Sequence, residues 1–314
     1  MPTKTTTSLP LFQRPVWVCL FALTAAMLWG WAYPIIKIGF EEWGITPDMT
    51  GSKMLFAGIR FAISGLIILA MARGMHRSFR PARGWDWGFI LLFALINTTF
   101  HYACFYIGLS HSEGSRAAIL NSLSIFLVVV LACVFFKSDR MTLRKMVGVV
   151  LGMAGILILN LNGDAVSAEW SWLGDGMIIV NAICSAVASL LTRSMARRVD
   201  IIVGTGYSLG IGGLLLIVPG LLMGGTLPHV TLWGLALLGM LVGISTIGFA
   251  LYNQLITHNP IGKVAIYNSL LPIVGAVTSC LCLGEPFQAN YILAGGLVAS
   301  GIYIVNAAKG NARR

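Results

Sequence analysis

The 314-residue chain is 57% hydrophobic and 10% charged, with a mean hydropathy of +0.84 and a formal net charge of +10. A soluble domain carries about a quarter charged residues, so this composition excludes an ordinary globular protein and indicates a polytopic membrane protein. The cations sit in short loops between apolar runs, which argues for membrane topology and against a nucleic-acid partner.

Residues 1–15 form a polar, Thr-rich tail expected on the cytoplasmic side. Ten apolar runs follow, near 16–37, 53–72, 87–108, 115–136, 143–161, 172–193, 201–223, 231–256, 263–283 and 288–308. Each is long enough to cross about 30 Å of hydrocarbon at about 1.5 Å per residue. Backbone groups in lipid must be satisfied internally, so an all-α protein of ten transmembrane helices is expected. The first run has no small-residue cleavage site close behind it and reads as a helix, not a removed signal. The six cysteines all fall inside apolar runs, and Cys280-Leu-Cys282 lacks zinc-site spacing; neither a disulfide framework, a metal nor another cofactor is expected.

Loop charge sets the orientation. With both termini in the cytoplasm, 17 of the 21 cations fall inside, leaving Lys37, Lys53, Arg60 and Arg116 in the outer set. Lys53, Arg116 and Lys263 lie near helix ends, and only Arg60 approaches the membrane centre. Every acid falls in a loop or near a helix end, from Glu41 to Glu285.

Arg116-Ala-Ala-Ile-Leu-Asn-Ser-Leu123 returns as Lys263-Val-Ala-Ile-Tyr-Asn-Ser-Leu270, 147 residues later, with five of eight positions identical. The same offset pairs His111 with His258, Thr99 with Thr246 and Gly65 with Gly212. This implies two five-helix units, 16–161 and 172–308, followed by a cytoplasmic tail at 309–314. An odd helix count inverts the second unit relative to the first, an arrangement typical of transporters with a site at the repeat interface. Gly148/Gly152 and Gly206/Gly210 are small-xxx-small pairs. They are expected to pack a single monomeric bundle; a dimer contact through one such face is the alternative. Pro272 should kink the ninth helix.

Polar groups inside a membrane are costly and mark function or packing. The candidate substrate-cavity residues are Trp29 and Tyr33 in the first helix, and Asn97, His101 and Tyr102 in the third. Asn121 in the fourth, Asn181 and Ser185 in the sixth, Ser245 and Tyr252 in the eighth, and Asn268 in the ninth complete the set. Interhelical bonding explains several of them equally well, the two repeated asparagines above all, which could meet near the pseudo-two-fold axis. His101 is the only histidine well inside a helix, so proton coupling either depends on it or is absent; a facilitator is the favoured expectation. No nucleophile–base pair, His-Glu-x-x-His or Walker A sequence is present, so neither an enzyme nor an ATP-driven pump is expected.

Leu28-Trp29-Gly30 followed by Lys37, Arg60-Phe61, the two Asn-Ser segments, Leu283-Gly284-Glu285 and the glycine-rich last helix together resemble the drug/metabolite transporter superfamily, in its ten-helix exporter branch. The resemblance covers residues 16–308. It departs at Lys137-Ser138-Asp139, which stands where the second unit has Gly284-Glu285-Pro286, so Glu285 reads as a helix-end or loop contact. The resemblance implies an inner-membrane exporter of aromatic and other neutral amino acids, extending to amphipathic cations such as methyl viologen, by alternating access without ATP hydrolysis. Its partners would be a small solute and membrane lipid. Export of nucleosides, sugars or sugar phosphates, or a channel, is the alternative reading.

Overall fold

The computed structural model describes residues 10–46, 48–111, 114–136, 140–160, 170–283 and 290–306. Among them the chain forms ten helical rods: α1 (Pro15–Glu42), α2 (Thr50–Gly74), α3 (86–111), α4 (Gly114–Phe135), α5 (Leu143–Asn160), α6 (172–196), α7 (Ile201–Leu222), α8 (Leu232–His258), α9 (261–283) and α10 (Asn290–Asn306). Each falls on one of the apolar runs. The largest difference is at the end of α1, which continues past Lys37 to Glu42. Trp43, 2% exposed, closes it with the indole lodged on Gly234, and Gly44 takes the left-handed conformation (φ 67°) that ends the helix.

Seven rods are long and apolar enough to cross a membrane: α1, α2, α3, α6, α7, α8 and α9. Ten spans were expected from the sequence. Leu120–Phe135 and Asn290–Asn306 are shorter apolar helices, and α5 opens on Arg144 and Lys145. The fold is therefore all-α and multi-pass. Its outer surface is apolar, with residues such as Leu66, Val150, Leu214, Leu222, Ile292 and Tyr303 more than half exposed where lipid would lie.

Three rods are irregular. A π turn interrupts α3 at Leu95–Phe100, and another opens α6 at Trp172–Gly176. In α9 a 3-10 stretch, Ile266–Leu270, separates two α-helical parts. Pro272 explains it: the residue has no N–H, and its ring opposes the carbonyl four residues back, that of Asn268. The expected kink is present, and it falls on the repeated Asn-Ser segment itself. Its counterpart α4 has no such break.

Close packing is built on glycine. Gly51, Gly58 and Gly65 of α2, seven residues apart, face Gly220, Gly213 and Gly206/Gly210 of α7 in antiparallel order. A Cβ at Gly65 would stand 2.2 Å from the Gly210 nitrogen, and one at Gly213 would stand 2.4 Å from the Ala62 nitrogen. The α5–α10 pair repeats the device: a Cβ at Gly301 would meet the Gly148 carbonyl oxygen at 2.5 Å, and Gly155 faces Ala294 and Val298. Around these pairs α1 packs on α8 and α9, and α6 packs on α3 and α4. The glycine faces singled out in the sequence are thus used within one chain.

Loop contacts gather the cationic loops at one end. Arg77 pairs with Asp200 at 3.4 Å, Arg198 pairs with Asp86 at 3.2 Å, and the Asn259 amide donates to the Phe12 carbonyl at 2.8 Å. Asp200 also caps α7, accepting from the Ile202 and Val203 amides at 2.9 and 3.4 Å. At the opposite end the Thr226 amide donates to Ser52 at 3.0 Å and the His229 amide to the Trp43 carbonyl at 3.2 Å. Lys4, Lys137, Lys309, Arg313, Arg314 and the Glu285 segment lie outside the described residues.

The glycine packing gives a direct test. Gly65→Leu forces a side chain into backbone and should cost about 1–3 kcal/mol, the usual price of overpacking. Gly295→Leu points into open space within the chain and should be near neutral. Thermal unfolding in detergent should show a clear loss for the first substitution only; equal melting of the two variants would refute the packing described.

Candidate functional site

The polar and aromatic residues singled out in the sequence fall into three groups that adjoin at the middle of the bundle. The first centres on Trp29. Its ring meets Phe249 and Tyr252 of α8, each at 5.2 Å and 62°, the edge-to-face geometry that aromatic quadrupoles favour. Gly248 makes the room, since a Cβ there would stand 2.7 Å from the Trp29 Nε1. Trp29 Nε1 is buried without a hydrogen-bond partner, although indole N–H usually finds one when buried. The Asn268 amide donates to the Tyr252 hydroxyl at 3.3 Å, and Ser189 of α6 also reaches that hydroxyl.

In the second group the Asn181 amide donates to the Asn121 carbonyl oxygen at 2.7 Å, joining α6 to α4. The Asn181 carbonyl oxygen is left buried and unpartnered. Tyr33 shares a hydrogen bond with Asn121, and its ring would be 3.3 Å from a Cβ at Gly275 of α9. Tyr33 is nonetheless 38% exposed. The two repeated asparagines thus do not bond each other: Asn121 is held by α6 and Asn268 by α8. The 3-10 stretch ahead of Pro272 gives Asn268 a backbone setting that Asn121, in regular helix, does not share. Ser185 contributes its carbonyl, which accepts from the Ser189 hydroxyl at 3.0 Å.

The third group lies on α2, α3 and α8. Tyr102 packs against Phe61 with ring centres 4.2 Å apart and planes tilted by 35°, and it meets His101 edge-on at 4.5 Å. His101 Nδ1 is buried without a partner. Phe249 lies 6.4 Å from Phe61 and so links this group to Trp29. Ser245 accepts from the Arg60 Nε at 2.8 Å, and the Leu241 carbonyl accepts from the same nitrogen at 3.2 Å. Asn97 stands apart. Its amide donates to Ser208 of α7 at 2.9 Å, and the neighbouring Thr99 hydroxyl donates to the Gly212 carbonyl at 3.1 Å. The π turn over Leu95–Phe100 carries Asn97 and ends just before His101, and the two meet different surroundings: Asn97 is held by Ser208, whereas His101 lies against Tyr102.

Two residues were underrated from sequence. Phe249 is apolar and carries no cost signal in a membrane; only its spacing of three from Tyr252 places it on the same face. Arg60 approaches the membrane centre by sequence but is absent from the candidate cavity set; it is the eleventh residue of the 25-residue α2 and only 4% exposed. It therefore lies about 15 Å in from the helix start, close to the middle of a bilayer core of about 30 Å. Among the described residues, the carboxylates are all at helix ends or in loops.

Aromatic packing seals the bundle between Arg60 and the end opposite the cationic loops. Phe40 meets Tyr106 at 6.2 Å and Phe56 at 5.4 Å, and Phe56 meets Trp43 at 5.5 Å. The cationic end is indented instead. A cavity of about 450 Å³ lies among Arg193, Arg197, Thr257, His258 and Asn259, and a second of about 350 Å³ among Phe12, Arg77, Asp200 and Gln254. Neither reaches a candidate site residue. Arg193 braces this end, donating to the Ile256 carbonyl at 3.0 Å and to the Asn259 carbonyl, with its guanidinium 5.0 Å from the Phe136 ring centre.

Comparison with known proteins places this arrangement. The EamA-like transporter family model matches residues 16–161 and again 172–307. The chain is 27% identical over 289 residues to the transporter YvbV of Bacillus subtilis, covering 89% of this chain and 88% of the relative. It is 26% identical to a transporter of Archaeoglobus fulgidus, covering 92% and 96%, and 25% identical to the inner membrane transporter YedA of Escherichia coli K12, covering 94% and 92%. A solved crystal structure shares the fold with a TM-score of 0.76 at 18% identity, over 91% of this chain and 95% of the other. The chain is a multi-pass transporter of the bacterial inner membrane and not an enzyme, and it belongs to the EamA-like transporter family of the drug/metabolite transporter superfamily.

Proposed function

We propose that the protein exports aromatic and other neutral amino acids, with amphipathic cations such as methyl viologen as further solutes, in the manner of the YddG branch of the superfamily. The observation that carries this reading is the central cluster of Trp29, Phe249, Tyr252, Tyr102 and His101 beside the Asn121–Asn181 pair. Aromatic faces accept an apolar side chain or an organic cation, and neighbouring amides and hydroxyls hold the polar groups of a zwitterion. Orphaned donors and acceptors at Trp29, His101 and Asn181 are the feature expected of a site whose partners arrive with the solute.

Alternating access follows from two inverted five-helix repeats, 16–161 and 172–308, with the cationic end in the cytoplasm. The helix pairing supports this. Exchanging α1–α5 with α6–α10 in order turns the α1–α8 contact into α6–α3, turns α1–α9 into α6–α4, and leaves α2–α7 and α5–α10 as they are. The antiparallel glycine crossing at α2–α7 is what a two-fold axis in the membrane plane requires of helices lying on it. In this reading the aromatic seal around Phe40, Phe56 and Trp43 closes the periplasmic side.

The described carboxylates are peripheral, so a proton relay would have to run through His101. Transport is therefore read as facilitated by the solute gradient, in a monomer.

Counterflow of labelled amino acids, methyl viologen and a nucleotide sugar into proteoliposomes tests the solute class. Saturable counterflow of phenylalanine is expected; saturation by the nucleotide sugar alone would overturn the reading. Trp29→Ala should lower phenylalanine counterflow at least tenfold with folding intact, given stacking and burial worth about 1.5–3 kcal/mol. Unaltered uptake would move the site elsewhere. An imposed pH gradient should leave uptake at equilibrium, and uphill accumulation would establish proton coupling.

A further inference from the structure

We infer that Arg60 receives the anionic group of the solute, so that the carrier recognises a carboxylate at the membrane centre. The inference rests on the amino-acid part of the transport reading above and adds the chemical class that the site selects; on it, an organic dication such as methyl viologen is a poor solute.

A guanidinium buried mid-membrane is expensive unless an opposite charge meets it. Arg60 is 4% exposed, and among the described residues it pairs with no carboxylate. Its contacts are neutral: the Leu241 carbonyl, the Ser245 hydroxyl, the Tyr106 hydroxyl and the face of Phe61 at 5.1 Å. These hold the Nε and orient the side chain while leaving its positive charge uncompensated.

Helix packing alone does not call for that charge. Ser208 and Asn97 stand 148 residues from Arg60 and Ser245, respectively, and join α7 to α3 as Arg60 and Ser245 join α2 to α8. The equivalent bridge in the other half is a neutral amide–hydroxyl bond of 2.9 Å, within 0.1 Å of the Arg60–Ser245 distance of 2.8 Å. One half thus builds its clamp without a cation, so the charge in the other half has a separate use.

Other donors lie beside it. Trp29 Nε1 sits against Gly248, one helical turn along α8 from Ser245, and has no acceptor. Tyr102, packed against Phe61, and Tyr106 bring phenol hydroxyls close to the guanidinium. A guanidinium with indole and phenol donors matches a single carboxylate, whose oxygens accept from several N–H and O–H groups at once. The aromatic faces of Trp29, Phe61 and Phe249 remain for the apolar part of the solute. A phosphate dianion would need a second cation, and Lys53, Arg73 and Lys263 are all near helix ends.

The test compares solutes differing only in that group, using proteoliposomes and the full-length protein. Counterflow is measured for L-phenylalanine, 3-phenylpropionate and L-phenylalaninamide in wild type, Arg60→Gln and Arg60→Lys. Wild type should favour the two carboxylates. Arg60→Gln should lower the carboxylate-to-amide transport ratio at least tenfold, and Arg60→Lys should restore part of it, because one point charge replaces the planar fork. A ratio unchanged in Arg60→Gln, with all three solutes lost together or none lost, would make Arg60 a structural clamp and overturn the inference. If Arg60→Gln does not insert, the wild type decides: a KM for the amide at least tenfold above that for phenylalanine supports the inference, and equal KM values or no carboxylate transport overturn it. Counterflow of 3-phenylpropionate without any amino acid would overturn the amino-acid reading and leave the Arg60 assignment standing. Amino-acid counterflow with an unaltered ratio in Arg60→Gln would do the reverse.

Discussion

Contact between backbones at the α2–α7 crossing is the constraint from which the rest of the molecule takes its shape. Gly51, Gly58 and Gly65 meet Gly220, Gly213 and Gly206/Gly210 with carbonyl and amide groups where side chains would otherwise stand. Lipid supplies no hydrophobic force between helices, so such close van der Waals contact is what binds them. With α2 and α7 held backbone to backbone, the residues on their flanks are fixed in depth. Arg60 then faces Leu241 and Ser245 of α8, while Ser208 faces Asn97 of α3. The central polar groups inherit their positions from this crossing.

Around it the structure separates sealing from recognition. The stretch between Arg60 and Trp43 is filled by Phe40, Phe56 and Tyr106, and the last two are each 1% exposed. The middle keeps unsatisfied polar atoms on Trp29, His101 and Asn181. A well-packed core leaves few such atoms; Trp43 Nε1 in the seal is another, but these three belong to the aromatic and amide groups of α1, α3 and α6, beside surfaces that suit a solute. Two of the three irregular stretches, the π turn of α3 and the 3-10 stretch of α9, carry candidate polar residues; the third opens α6 at its end.

Much of this was legible in the sequence, and what was not has a physical cause. Apolar run lengths placed all ten rods to within a few residues, because segments in lipid must satisfy their own backbone bonds. The repeated Asn-Ser segment falls on α4 and α9, yet its asparagines take different partners, Asn181 for Asn121 and Tyr252 for Asn268, and only in α9 does a 3-10 stretch precede a proline. Asn97 is four residues from His101, yet it bonds Ser208 of α7, a partner on another helix that spacing within α3 does not reveal. The approach of Arg60 to the membrane centre was legible from its place in the second apolar run; its burial and its neutral partners Leu241 and Ser245 depend on packing. Phe249 carried no signal, since an apolar residue costs nothing in a membrane and only its neighbours make it part of a site.

The account's central claim is that a solute held at this middle level is exposed to the two sides in turn. Reciprocal thiol accessibility tests it most directly. In a cysteine-free background, Phe40→Cys reports the sealed side and Thr257→Cys the indented, arginine-rich side, each labelled by an impermeant reagent applied from its own face. The account predicts that saturating solute raises labelling at one position as it lowers labelling at the other. Labelling that rises at both together would indicate a continuous channel and contradict the claim, as would labelling indifferent to solute while counterflow proceeds.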